Sequence, residues 1–258
     1  MSKEIDRLID IVATLRGPDG CPWDKKQDHT SIGACMLEEL HELFEAVEQN
    51  DAKNMCEELG DLLLHILFHA QIAKENGRFT IDEVAASINE KLIRRHPHVF
   101  GDTKVSSTQE VLHNWETIKN GEKGKESRTS ALDGVPRTLP ALLKAEKLQK
   151  KAARVGFDWD ETPQVLDKVE EEFREFTEAA AQGHTEQARE ELGDVLFSIV
   201  NVARHYGFCA EDALRAMTEK FTRRFQYVEE RFRAQDRPMQ EASLEEMDGF
   251  WEESKTHE

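Results

Sequence analysis

The sequence predicts an all-α protein built from two tandem helical-bundle domains related by duplication. Three observations carry this reading. Apolar residues recur at a period near 3.6, and no segment shows strand alternation. Glycine and proline, 14 and 7 in 258 residues, fall mostly between the periodic segments. Four blocks of sequence return in the same order in the second half.

The elements follow in order. Leu37, Leu40, Phe44 and Val47 form one apolar stripe, and Leu59, Leu62, Leu63, Ile66 and Leu67 form the next. Between them Gln49-Asn50-Asp51 is a turn signal. Val165, Val169, Phe173 and Phe176 repeat the first stripe; Leu192, Val195, Leu196, Ile199 and Val200 repeat the second. Glu38-Glu-Leu-His-Glu42 returns as Glu171-Glu-Phe-Arg-Glu175, and Glu57-Glu-Leu-Gly-Asp61 as Glu190-Glu-Leu-Gly-Asp194, both at an offset of 133. Lys91-Leu-Ile-Arg-Arg95 answers Lys220-Phe-Thr-Arg-Arg224 at 129, and Trp115-Glu-Thr-Ile-Lys119 answers Trp251-Glu-Glu-Ser-Lys255 at 136. Asn120 to Ser130 is polar, contains glycine and has no apolar stripe, which is a linker composition. The predicted organisation is a helical domain over 1–119, a linker over 120–137 and a second helical domain over 138–258.

Charge narrows the function. Acidic residues outnumber basic ones 52 to 34, for a net charge of -18. A surface that grips a nucleic-acid polymer needs clustered cations, so that class is excluded. A chain that concentrates divalent cations fits. No apolar run approaches 18 residues; the longest, Leu62 to Ala70, is broken by His65 and His69, so a membrane span is not expected. The first residues lack the apolar core of a secretory signal. Cysteines 21, 35, 56 and 209 form no C-x-x-C pair and no zinc spacing with histidine, which reads as reduced thiols in a cytoplasmic protein.

The carboxylates carry the chemistry. Glu39 and Glu42 share one helix face, as do Glu58 and Asp61. In an antiparallel hairpin turning at Asn50, Glu42 lies level with Glu58, and Glu39 with Asp61. The second half repeats this about Gly183, with Glu175 level with Glu191 and Glu172 with Asp194. Carboxylates so crowded repel one another unless a positive charge sits among them. A hard divalent cation solves that: Mg²⁺ is the default and Mn²⁺ the alternative. A single such pair is ordinarily a solvated helix face; a symmetric and duplicated set is not. Gly60 and Gly193, each next to the Asp, suggest close approach of a backbone or a ligand.

Cations and aromatics accompany the carboxylates. Lys91 with Arg95, and Lys220 with Arg224, stand four apart on one helix face, a pairing suited to phosphate oxygens or to solvation. Trp115 and Trp251 each precede a lysine, Lys119 and Lys255, by four residues. They read as core residues or as stacking platforms. His96-Pro-His98 reads as a helix terminus. Glu38-x-x-His41 has the spacing of di-iron bundles, but Arg174 stands at the matching position in the second half.

These residues resemble the MazG family of nucleoside triphosphate pyrophosphohydrolases in its long two-domain form. The resemblance rests on Gly20-Cys-Pro-Trp-Asp24, the E-E-x-x-E and E-L-G-D blocks, Arg94-Arg-His-Pro-His-Val-Phe100 and Val155-Gly-Phe-Asp-Trp159. It implies an all-α, Mg²⁺-dependent homodimer that cleaves nucleoside triphosphates between the α and β phosphates. It also implies metal ligands at Glu172, Glu175, Glu191 and Asp194 and nucleotide contacts at Lys168, Lys220, Arg224 and Trp251. By the 133 offset, Lys168 stands where the first half has Cys35, and Arg189 where it has Cys56. A triphosphate carries about four negative charges, so two extra cations predict that the C-terminal half is the main catalyst. The N-terminal half keeps Glu39, Glu42, Glu58 and Asp61 as metal ligands and Lys91, Arg95, Trp115 and Lys119 toward nucleotide. Two rival readings are a sensor that binds nucleotides without cutting them and an acidic helical scaffold for a basic partner.

Overall fold

The computed structural model describes residues 3–121 and 130–256. The chain forms two compact units, Met1–Lys123 and Gly124–Glu258. Within the span read as linker, residues 122–129 lie outside the described residues. The described residues are helical, with turns and no strands.

The first unit begins with α1 (Lys3–Leu15) and the short α2 (Pro22–Lys26). A long hairpin follows, α3 (His29–Glu48) and α4 (Ala52–Glu75), and then α5 (Ile81–Arg95), α6 (Pro97–Phe100) and α7 (Thr108–Asn120). Capping explains the boundaries. The Asp28 carboxylate accepts from the backbone N–H of Thr30 and Ser31 at 2.8 and 2.9 Å, which starts α3. Thr80 and Glu83 form a reciprocal capping box that starts α5. His96 ends α5 and Pro97 opens α6, so His96-Pro-His98 is the helix terminus its proline predicts.

The second unit contains α8 (Ala141–Ala153), the hairpin α9 (Thr162–Ala181) and α10 (Thr185–Tyr206), then α11 (Ala210–Ala234), a 3₁₀ turn at Met239–Glu241 and α12 (Leu244–Ser254). Its helices start where the sequence repeats place them. α9 starts 133 residues after α3, and α10 starts 133 after α4. α11 starts 129 after α5, and α12 starts 136 after α7. The duplication therefore holds at the level of helix starts as well as residues.

Each unit has its own core. In the first, Val12, Ile32, Leu67, Phe68 and Ile72 pack together; in the second, Val200, Ala203 and Ala210 pack with Leu142 and Ala145. Part of the predicted apolar pattern does not join these cores. Leu37, Phe44 and Val47 are 57%, 40% and 52% exposed, whereas Ile32 and Ala46 are the buried residues of α3. In the second unit Phe173, Leu192, Leu196 and Ile199 are exposed as well. The cause is architectural. α3 has α4 as its one extensive partner among the described residues, and α9 has α10, so the outward stripe has no covering layer.

Candidate active site

Both hairpins turn where a residue must take a left-handed conformation. Asn50 has φ 53° and Gly183 has φ 73°. Asparagine and glycine are the residues that tolerate this region best. Asp51 then caps α4 by accepting from Lys53 and Asn54 N–H. With the turns fixed at 50 and 183, the antiparallel register follows, and carboxylates from the two helices meet.

Each hairpin draws three of its four carboxylates into one tight group. Glu39, Glu58 and Asp61 offer oxygens all within 4.8 Å of one another, and Glu172, Glu175 and Glu191 do the same. Glu42 and Asp194 belong to neither tight group, though Glu42 remains close enough to act electrostatically on Glu58. Glu58 is only 6% exposed and Glu172 8%. Burial first, and then Glu42, Glu39 and Asp61, push the Glu58 carboxyl above the usual carboxylate range. Two buried acids inside carboxylate clusters fit a divalent cation, which would offset that repulsion.

The cations fall in different places. Lys168 Nζ contacts Glu172 Oε1 at 2.7 Å and Glu171 Oε1 at 3.2 Å, and Glu172 holds the ammonium above its ordinary pKa. Arg189 instead ion-pairs with Glu186 at 3.8 Å within α10, with its side chain 82% exposed. Of the two extra cations of the second half, Lys168 touches the cluster. Lys220 and Arg224 lie on α11, where the Arg224 guanidinium stands 5.7 Å from the Trp251 ring and Phe221 packs on that ring at 5.2 Å. Trp115 is embraced by Arg95 at 5.1 Å and Lys119 at 4.6 Å, while Lys91 lies one turn before Arg95 on α5. Lys255 pairs with Glu252. Both tryptophans are half-buried and cation-bound, a role between the core and platform readings.

Gly60 and Gly193 do not answer to a close backbone. Beyond its own helix backbone, a Cβ at either would meet no heavy atom of the described residues within 4 Å, so these residues leave that space open. The glycine that packing demands is Gly20, where a Cβ would lie 2.1 Å from the Leu15 carbonyl oxygen.

Sequence reasoning missed two features beside the clusters. One is a cavity of about 290 Å³ lined by Phe157, Trp159, Val165, Lys168, Ser198 and Asn201 among others. Its aromatic wall comes from Val155-Gly-Phe-Asp-Trp159, a motif visible in the sequence but not assignable to a wall before folding. The other is the clamp on that segment. Arg204 donates to Asp158 Oδ2 at 2.8 Å and to Asn201 Oδ1, and His205 Nε2 lies 3.2 Å from Asp158 Oδ1. The Arg204 guanidinium holds the Asp158 carboxyl down to about 2. The first unit pins its Gly20–Asp24 segment differently: Arg16 donates to the carbonyls of Asp24 and Gln27 at 2.6 and 3.1 Å and pairs with Glu75.

Known proteins match both units. The model of the MazG nucleotide pyrophosphohydrolase domain matches residues 27–100 and again 161–229, spans that contain both hairpins. The chain is 46% identical to the nucleoside triphosphate pyrophosphohydrolase of Escherichia coli K12 over 258 residues, 99% of this chain and 98% of that protein. It is 44% identical to the nucleoside triphosphate pyrophosphohydrolase/pyrophosphatase MazG of Thermotoga maritima over 97% of this chain and 95% of that one. It is also 50% identical to YabN of Bacillus subtilis, covering 52% of that longer protein. Two hairpins with acidic clusters, matched twice by one family model and end to end by such relatives, establish that the chain belongs to the MazG nucleotide pyrophosphohydrolase family of hydrolases.

Proposed function

We propose that the protein hydrolyses nucleoside triphosphates, ribo or deoxy, between the α and β phosphates, giving a nucleoside monophosphate and pyrophosphate, with Mg²⁺ as cofactor. The observation that carries this reading is the C-terminal cluster: three facing carboxylates, one of them buried, with Lys168 on one side and an apolar cavity behind that lysine. Relatives that match the chain end to end carry the corresponding name.

Glu172, Glu175 and Glu191 would hold the ion, with Asp194 completing the set one helical turn beyond Glu191. A bound dication supplies neutralisation of the phosphate oxygens and lowers the pKa of water. One carboxylate orients the attacking water and takes its proton. The water oxygen forms a bond to the α-phosphorus, the bond from that phosphorus to the α–β bridging oxygen breaks, and pyrophosphate leaves. Lys168, Lys220 and Arg224 neutralise the triphosphate, and Trp251 shapes the site. The cavity beside Lys168 has aromatic walls and a size suited to a nucleobase. The N-terminal unit keeps its carboxylates but has Cys35 where Lys168 stands, so the C-terminal unit is read as the main catalyst. The exposed apolar stripes on both hairpins support assembly with a second copy.

The deciding experiment resolves the products of each common NTP and dNTP with Mg²⁺ and with EDTA. Monophosphate plus pyrophosphate, formed only with metal, is the expected result. Diphosphate plus phosphate would refute the bond assignment. Nucleotide-induced stabilisation without product would favour the sensor reading.

A further inference from the structure

The two carboxylate clusters differ in what faces them. In the C-terminal unit the partner of Glu172 is the Lys168 ammonium, 2.7 Å away on the same helix. In the N-terminal unit the residue equivalent to Lys168 is Cys35, and the partner of Glu39 comes from the opposite helix: His65 Nε2 lies 3.5 Å from Glu39 Oε1. The position equivalent to His65, 133 residues on, is Ser198. An ammonium has no lone pair to offer a metal, whereas a neutral imidazole has one.

His65 stands at the edge of the cluster: its nitrogens fall outside the group of ligand atoms that all lie within 4.8 Å of one another, but Nε2 comes within 3.5 Å of Glu39 Oε1. His65 follows Asp61 by four residues and Glu58 by seven on α4, which puts all three on one helix face. The residue is 9% exposed, and among the described residues neither Nδ1 nor Nε2 has a hydrogen-bond partner, the Glu39 oxygen being an ion-pair contact at 3.5 Å. A buried ring whose nitrogens make no hydrogen bond is costly, and a bound ion would complete it. Two donors each about 2.1 Å from one ion stand roughly 3.0–3.4 Å apart. The 3.5 Å between His65 Nε2 and Glu39 Oε1 is close to that spacing. His69, one turn further along α4, is engaged instead, with its Nδ1 at 2.8 Å from His29 Nδ1.

We propose that His65 is a nitrogen donor of the N-terminal cluster, which makes it a mixed nitrogen–oxygen site that prefers a divalent first-row transition ion such as Mn²⁺ over Mg²⁺. Imidazole raises affinity for such ions far more than for Mg²⁺. The C-terminal cluster, with oxygen donors and a lysine, keeps the Mg²⁺ preference. The inference rests on the proposed reading that these carboxylates bind metal.

The test uses the full chain carrying Glu172→Gln and Glu175→Gln, which silence the C-terminal cluster, with Mn²⁺ as probe. Pulsed EPR of the bound Mn²⁺ should show ¹⁴N modulation from one imidazole. Adding His65→Gln should remove it and weaken Mn²⁺ binding about 10- to 100-fold by calorimetry, with little change for Mg²⁺. Adding His69→Gln should leave the modulation in place. Bound Mn²⁺ without ¹⁴N modulation in the His65-containing chain overturns the inference, whether or not the His65 variant folds. Modulation that survives His65→Gln overturns it too. If the wild-type chain binds no dication at either cluster, the metal reading itself fails and takes this inference with it.

Discussion

Lys168 Nζ and Glu172 Oε1 stand 2.7 Å apart, one turn from each other on α9, and this pair separates the two otherwise parallel hairpins. The lysine lines the cavity on one side and touches the carboxylate cluster on the other. A triphosphate whose base entered that cavity would pass its phosphates over this ammonium. Lys168→Ala should therefore lower kcat/KM for NTP hydrolysis about 100-fold, in the range seen when one preorganised donor to developing charge is removed. Steady-state kinetics checks this. A change below twofold would remove Lys168 from the site.

The carboxylates should show the same division between units. Glu175→Gln or Asp194→Asn should each abolish measurable turnover, while far-UV circular dichroism stays at the wild-type helix content. The corresponding changes Glu42→Gln and Asp61→Asn should leave most of the turnover. The reverse pattern would make the N-terminal unit the catalyst. Full activity in Glu175→Gln and Asp194→Asn together would remove both from the mechanism.

Much of this was legible before folding because it depends on spacing alone. The 3.6 period, the turn residues Asn50 and Gly183 and the symmetric placement of carboxylates about them fix a hairpin register, and α3, α4, α9 and α10 follow it. Side-chain reach is what the spacing leaves open. The residues level across the hairpin include Glu42 and Asp194, yet the tight groups omit both. Arg189 aligns with the cluster by offset but pairs with Glu186 one turn back. The cavity wall and the Arg204 clamp join residues 46 positions apart, and no local pattern encodes such a pairing.

The Asp158–Arg204 clamp has a pH signature. The folded carboxyl sits at about 2 against an ordinary value of 3.8. A depressed folded pKa means the contribution is full above about pH 4 and is lost as pH falls toward 2. With a side chain 27% exposed, solvent screening reduces the effect to on the order of 1 kcal/mol. Asp158→Asn should lower the melting temperature by a few degrees at pH 7. The gap to wild type should close as pH approaches 2. Thermal melts across that window check it; a gap that is unchanged at pH 2 would mean that packing, not the carboxylate charge, accounts for the loss.

The exposed stripes predict assembly. Leu37, Phe44 and Val47 on α3, with Phe173 on α9 and Leu192, Leu196 and Ile199 on α10, leave large apolar side chains in water on a chain whose net charge of -18 otherwise favours separation. These side chains are already about half covered, so covering the rest of one removes roughly 1 kcal/mol of unfavourable exposure. Several together outweigh the repulsion if the stripes meet a second copy. Light scattering on the wild-type chain should therefore give a dimer mass. Phe173→Glu and Leu37→Glu, placed mid-stripe where a buried charge would be unpaired, should each shift it toward monomer while the helix content holds. A monomeric wild type at micromolar concentration would show that the stripes do not join copies of this chain. A dimer indifferent to both substitutions would place the interface elsewhere.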